Sequence, residues 1–429
     1  MKTLQLLLYK EIDEQNILHD IAFLVKNVNS DYYNREDLSG LFCECIGKLL
    51  EQAHSYGFEG NLWQNYLTYL LINSENAYSK ACEITGEVDG SVNQAALHDL
   101  KIYREMFGYN LHCLGEELLL DDMNYLLDYH TVKSQGKVYN HRIRERIGIL
   151  SQDLGKAESD EEFKQILTGF YGEFGVGKFG LHKAFRVERR NEKVHIVPIT
   201  NIAHVHLDDL IGCETPKQKL IANTEAFVKG KKANNCLLFG DAGTGKSSSI
   251  KAILNQYYEQ GLRMIELYKH QFQDLNDIIA QIKNRNYKFI IYMDDLSFEE
   301  FEVEYKYLKA VIEGGLEKKP DNVLIYATSN RRHLVREEFG DKAGRRDDLH
   351  ASDTVQEKLS LAARFGVTIF FIGPDQKEYQ KIVAGLARRN GITMSEEELL
   401  LAAGRWELSH NGRSGRTAQQ FIDYLLGQA

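Results

Sequence analysis

The sequence predicts an α/β fold: a parallel sheet with helices on both faces, followed by a helical C-terminal segment and preceded by a mostly α-helical N-terminal domain. Three observations predict it. All four prolines (Pro198, Pro216, Pro320 and Pro374) lie in the later part of the 429-residue chain, which leaves the first 197 residues free of the strongest helix breaker. That proline-free part carries apolar residues at helical spacing. From Leu207 onward, helical patterns alternate with short apolar runs.

The N-terminal helices follow from periodicity. Between Asp37 and Tyr56, residues Leu38, Leu41, Phe42, Cys45, Leu49 and Ala53 share one face. Leu62, Trp63, Tyr66, Leu67 and Leu70 repeat the pattern. Ser91 is placed to cap a helix carrying Val92, Ala95, Ala96, Tyr103 and Phe107. Ser159 with Glu162 reads as a capping box ahead of Phe163, Ile166, Leu167 and Phe170. These elements form a helical domain over 1–170. Residues 171–204 read as a glycine-rich turn and a β-hairpin connector, with Phe185–Glu188 and Val194–Val197 alternating around Arg189–Lys193. The α/β core spans 205–374, with strands at Cys236–Phe239, Met264–Leu267, Phe289–Met293, Val323–Ala327 and Val367–Phe371. The segment 375–429 reads as helical, with Tyr379, Ile382, Val383 and Leu386 on one face.

Composition narrows the class. The formal net charge of −10 gives no bulk attraction for nucleic acid. The six cysteines form no CxxC pair and read as reduced thiols of a cytoplasmic protein. The apolar run at Leu6–Leu8 is followed by Glu11, Asp13 and Glu14 with no small-residue cleavage site. No apolar stretch approaches the roughly 20 residues that span a bilayer, so no membrane association is expected.

Gly240-Asp241-Ala242-Gly243-Thr244-Gly245-Lys246-Ser247 matches GxxxxGK[ST] between an apolar strand and an amphipathic helix. Glycines let the backbone curl so that its N–H groups face phosphate oxygens. Lys246 supplies charge near the β- and γ-phosphates, Ser247 a hydroxyl for Mg²⁺, and the following helix its positive dipole end. A decoy, Gly172–Phe179, also fits GxxxxGK, but Phe179 stands where the hydroxyl belongs and a helix precedes it, so it reads as a structural turn.

Phe289–Met293 is an apolar run ending in Asp294 and Asp295. Charges at the end of a buried strand need partners, and Mg²⁺ at the C-terminal edge of a parallel sheet is one. Asp294 takes the Mg²⁺ role and Asp295 that of polarising the attacking water, with Glu299 and Glu300 as alternative bases. Val323–Ala327 leads into Thr328-Ser329-Asn330, where Asn330 would stand between the P-loop and the acids to orient water and sense the γ-phosphate.

The order P-loop, Asp294-Asp295, Asn330, then Arg364 before the last core strand resembles an AAA+ module. More narrowly, the runs Asp294–Phe298, Ala327–Leu334, Lys358–Gly366 and Ser414–Ala418 resemble the bacterial AAA+ family catalogued as domain of unknown function 815. The resemblance implies an αβα core with a helical lid, assembled as a homo-oligomeric ring or filament with ATP at subunit interfaces. It implies that Asp208–Gly212 holds the adenine, with Ile211 and Gly212 in contact, and that Asp241, Ala242, Gly243, Thr244, Gly245, Lys246, Ser247 and Ser248 bind the nucleotide. Arg364 would be a finger acting on a neighbour's ATP. Arg416 would be the lid's sensor, with Arg413 as competitor. Ala363 departs from the acidic residue expected beside the finger.

The expected function is ATP hydrolysis with Mg²⁺ that remodels or loads an unidentified protein client. The alternatives are an ATP-gated switch with little turnover and a nucleic-acid loader. A kinase-like phosphotransferase has no need of Arg364 acting in trans. Arg331, Arg332, Arg336, Arg345 and Arg346 form a basic cluster, but Asp341, Asp347 and Asp348 interleave with it, as in a solvated loop.

Overall fold

A computed structural model describes residues 2–10, 15–131, 141–298, 304–313, 319–330, 361–410 and 412–428. Glu299, Glu300 and the basic cluster between Arg331 and Arg346 lie outside the described residues. The chain divides into two compact units, Met1–Leu181 and His182–Ala429.

The N-terminal unit is helical around one apolar core. Its longest described helix, Arg35–Tyr56, starts where the Asn34 side chain accepts from the Glu36 N–H and ends at Gly57, whose φ of 70° suits a left-handed cap. Leu38, Phe42, Cys45, Leu49 and Ala53 are buried along it, as their spacing predicts. Leu62–Asn73 likewise buries Leu62, Trp63, Tyr66, Leu67 and Leu70. Two caps differ from expectation. Ser91 precedes the helix Val92–Phe107 but makes no side-chain cap, because its own backbone is already helical (φ −65°, ψ −22°). Ser159 accepts from the Glu162 N–H at 3.0 Å, yet the Glu162 carboxylate reaches the Glu158 N–H, one residue short of closing the box. Asp99 is fully buried and accepts the N–H groups of Leu7, Leu8 and Tyr9, which fastens the start of the chain to Val92–Phe107.

The second glycine-rich stretch is a structural turn. The Gly177 N–H donates to Ile72 O at 2.7 Å and the Val176 N–H to the Glu83 carboxylate at 3.0 Å. Gly177 sits at φ 70° against Glu75, where a Cβ would collide. Its donors are spent on protein acceptors, and Phe179 is buried.

The C-terminal unit holds a seven-stranded sheet ordered β2-β1-β4-β5-β6-β3-β7. The strands are β1 (Ala184–Arg190), β2 (Lys193–Pro198), β3 (Cys236–Gly240), β4 (Leu262–Glu266), β5 (Lys288–Met293), β6 (Val323–Ser329) and β7 (Val367–Phe371). All neighbours pair in parallel except β1 with β2. The hairpin is therefore not a connector, as 171–204 was expected to be. β1 extends the sheet beside β4, with Ala184 opposite Met264, and its Phe185 and Val187 are buried. The N–H and C=O groups along the outer side of β4 need partners, and the hairpin supplies them. Helices Glu214–Val228 and Lys246–Tyr257 contribute to the apolar core around β3.

After β7 come three lid helices, Gln376–Arg389, Glu396–Ser409 and Gly415–Gln428, with their own core of Tyr379, Ile382, Val383, Leu399, Phe421 and neighbours. Asp375 caps the first by accepting from the Glu378 N–H at 2.8 Å. Among the described residues, no helix is long and apolar enough to cross a membrane, and all six cysteines are free.

Candidate nucleotide site

The C-terminal ends of β3, β5 and β6 meet at one edge of the sheet, where parallel strands leave space for a ligand. β3 delivers the glycine-rich loop. Gly240 has φ 134° and lies against the Phe371 carbonyl of β7, so a side chain there would strike backbone. Gly243, at φ 76°, approaches Ser414 and Arg416 of the lid so closely that a Cβ would lie 2.8 Å from Ser414 Oγ. Gly245, at φ 93°, precedes the helix Lys246–Tyr257, whose first residues line the cavity.

Lys246 is only 6% exposed. Its ammonium donates to Gly240 O (2.8 Å), Asp241 O (2.6 Å) and Asn330 Oδ1 (3.0 Å). Burial lowers its pKa from the ordinary lysine value, against the pull of Asp241, Asp295 and Asp294. Ser247 Oγ donates to Asp294 Oδ1 at 2.8 Å, and Thr328 Oγ1 donates to the same oxygen at 2.5 Å. Burial works to raise the Asp294 carboxyl, but the hydroxyls of Thr328, Tyr292 and Ser247 outweigh it, and the group sits below the ordinary carboxylate value. Asp295 follows at φ 49°, a conformation that costs a non-glycine residue roughly 1 kcal/mol. Its N–H donates to Thr328 Oγ1 (2.9 Å), and its carboxylate accepts from Asn330 Nδ2 (2.8 Å). Asn330 thus joins Lys246 to Asp295.

Gly243, Gly245, Lys246, Ser247, Asp294, Asp295, Thr328 and Asn330 line a cavity of about 560 Å³ that also includes Ile211, Gly212, Ala242, Thr244, Ser248 and Arg416, whereas Asp241 does not line it. Its volume suits a small-molecule ligand. Ser247 and Asp294 offer a hydroxyl and a carboxylate on adjacent points of the wall, the hard oxygen donors that Mg²⁺ takes. Of the two lid arginines, Arg413 is engaged in an ion pair with Glu407 at 2.9 Å, whereas Arg416 lines the cavity and its N–H donates to Gly243 O at 3.3 Å. Arg364 is half-buried in a turn closed by its N–H to Leu361 O and does not line this cavity.

One participant escapes a reading of motifs. Thr328 holds both acids through one hydroxyl, and its signal was the two-residue spacing to Asn330, which directly follows β6. Asp241 reaches across to accept the Gly373 N–H at 2.9 Å, tying the P-loop to the segment that enters the lid.

Sheet, P-loop, paired acids and lid define an AAA+ P-loop nucleotide-binding protein. The chain belongs to the family described as "Protein of unknown function (DUF815)", whose model matches residues 180–429. Part of it is similar to the chromosomal replication initiator protein DnaA of Mesoplasma florum, at 22% identity over 43% of this chain and 44% of the relative. A shorter stretch is similar to the replication factor C large subunit of Staphylothermus marinus, at 34% identity over 16% of each chain. The chain thus spans less than half the length of either curated relative. Among solved structures, the Thermotoga maritima RuvB Holliday junction branch migration motor aligns at 15% identity and a TM-score of 0.33, covering 51% of this chain and 72% of that one.

Proposed function

We propose that this chain binds ATP with Mg²⁺ and hydrolyses it at a subunit interface of a homo-oligomer, to remodel or load a protein client. The observation that carries the reading is the hydrogen-bonded chain Lys246–Asn330–Asp295 beside the Ser247–Asp294 pair. It sets a cation, a proton acceptor and an orienting amide around one point of the cavity.

In this reading the γ-phosphate exchanges for the carbonyls that Lys246 now holds. Gly243, Gly245 and the first turn of Lys246–Tyr257 offer N–H groups to the phosphates. Mg²⁺ held by Ser247 and Asp294 would neutralise charge on the β- and γ-oxygens. Asp295 accepts the proton of the attacking water as the oxygen bonds to the γ-phosphorus and the bond to the β-bridging oxygen breaks. Asn330 keeps that water in line. Arg416 adds charge from the lid in the same chain, and Arg364 from a neighbouring chain.

A second reading, an ATP-gated switch with little turnover, is favoured by one feature. Asp295 is short, sits at φ 49°, and already shares its carboxylate with Asn330. Phosphate release from Mg-ATP over many turnovers separates the two. Sustained release that Asp295→Asn slows sharply supports hydrolysis. ATP binding with at most one turnover per chain supports the switch.

A further inference from the structure

The cavity wall at Asp209–Gly212, the side that the AAA+ resemblance assigns to the base, is stitched to both the core and the lid. Its strap, Asp208–Gly212, is held from the core at Leu210, whose carbonyl accepts Lys217 Nζ at 2.6 Å and whose side chain packs on the core cluster. The residues on either side of Leu210 turn to the lid. Arg389, the last residue of the first lid helix, donates from Nη1 to Asp209 O and from Nη2 to Asp208 O, each at 3.2 Å. The same guanidinium lies 3.2 Å from the Asp209 carboxylate. Ile211 packs into the lid's apolar cluster, and a methyl group on Gly385 would overlap its Cδ1 atom. Ile211, Ile382 and Leu386 all line the cavity, so the seat and the wall are the same surface.

A surface ion pair between Arg389 and Asp209 would count for little by itself, since both side chains are more than a third exposed. The fork does something a point charge does not: one planar group engages two successive carbonyls and a carboxylate. Gly385 matters for a different reason. It leaves the gap in the lid helix into which Ile211 fits.

We infer that Arg389 is a positioning residue which, with the gap at Gly385, seats the strap in the lid, so that the base-side wall is complete only when the lid is docked. The inference rests on the nucleotide reading above and deepens it. ATP affinity then has two separable parts. The P-loop sets the phosphate end, and the lid seat sets the nucleoside end.

The test is calorimetric titration of Mg-ATP into the full chain and its Arg389→Ala and Gly385→Ala variants, with inorganic tripolyphosphate as a competitor that lacks a base. Gly385→Ala guards against unfolding, because alanine is a better helix former than glycine while its methyl displaces Ile211. Both variants are expected to weaken ATP about tenfold with melting temperatures no lower than the parent's for Gly385→Ala, while tripolyphosphate competes no less well than in the parent. Unchanged ATP affinity in both variants, or equal weakening of ATP and tripolyphosphate, overturns the inference alone. A parent chain that binds no ATP overturns the nucleotide reading and this inference together.

Discussion

The Asn330 side chain donates to the Asp295 carboxylate at 2.8 Å while its own carbonyl oxygen takes a hydrogen bond from Lys246 at 3.0 Å. Asp295 is thereby held by the same amide that holds Lys246. In the proposed reaction, an incoming γ-phosphate that draws Lys246 away would free the amide to turn toward water. Asn330→Ala is expected to lower turnover by roughly 10²-fold, the scale of losing one oriented polar group in a transition state, with ATP affinity within a few-fold of the parent. Paired kcat and binding measurements check it, and loss of affinity with turnover intact contradicts it.

The two acids should separate by metal dependence. Asp294 shares its oxygen with Ser247 and Thr328, whereas Asp295 contacts Asn330. Asp294→Asn should raise the Mg²⁺ concentration needed for half-maximal ATP binding. Asp295→Asn should leave that concentration alone and slow hydrolysis. Identical Mg²⁺ titrations for both variants would remove the distinction.

Thr328→Val keeps the shape of the side chain and deletes the hydroxyl that donates to Asp294 and accepts from the Asp295 N–H. The Asp295 N–H is left with only its longer contact to Asp294 Oδ1, at 3.2 Å, and losing a hydrogen bond of this kind costs about 0.5–1.5 kcal/mol. The variant should therefore lose stability and also Mg²⁺ affinity. A melting temperature and Mg²⁺ response equal to the parent's would show that the hydroxyl organises nothing.

Arg364 does not line its own chain's cavity. A guanidinium stabilising the transferred phosphoryl group from a neighbour is worth roughly 10³–10⁵ in rate. Arg364→Ala should bind ATP nearly as the parent does, hydrolyse it far more slowly, and recover part of its activity when mixed with Lys246→Ala chains. Activity independent of protein concentration, or an Arg364→Ala variant as active as the parent, rules out action in trans.

Burial and the neighbouring Arg263 push His182 down to about 4. The folded chain therefore refuses a proton that the unfolded chain takes below about 6.5. The contribution is fully present above that value and is lost as pH falls from about 6.5 toward 4. Melting temperatures across this window should fall more steeply for the parent than for His182→Gln, and parallel slopes would contradict the assignment.

Much of the core was legible because its signals are local. The strands are short apolar runs, and the P-loop, Asp294-Asp295 and Asn330 each sit at the end of one. The structure brings Lys246, Ser247, both acids and Asn330 to a single cavity. What was not legible depends on partners distant in sequence. The hairpin reads as a connector until β4 is known to lie beside it. Thr328 meets Asp295 across 33 residues, and Asp241 meets Gly373 across 132. Ser91 has the right residue type for a cap, but its backbone is already helical. Arg413 and Arg416 could not be separated by spacing. The Glu407 carboxylate engages the Arg413 guanidinium, whereas Arg416 lines the cavity.

The central claim is that the P-loop of this chain binds ATP through Lys246. Calorimetric titration of Mg-ATP into the parent and the Lys246→Ala variant tests it most directly. The account predicts saturable binding with one site per chain in the parent and affinity at least about tenfold weaker in the variant. A parent that binds no ATP, or a variant that binds it as tightly as the parent, would contradict the account.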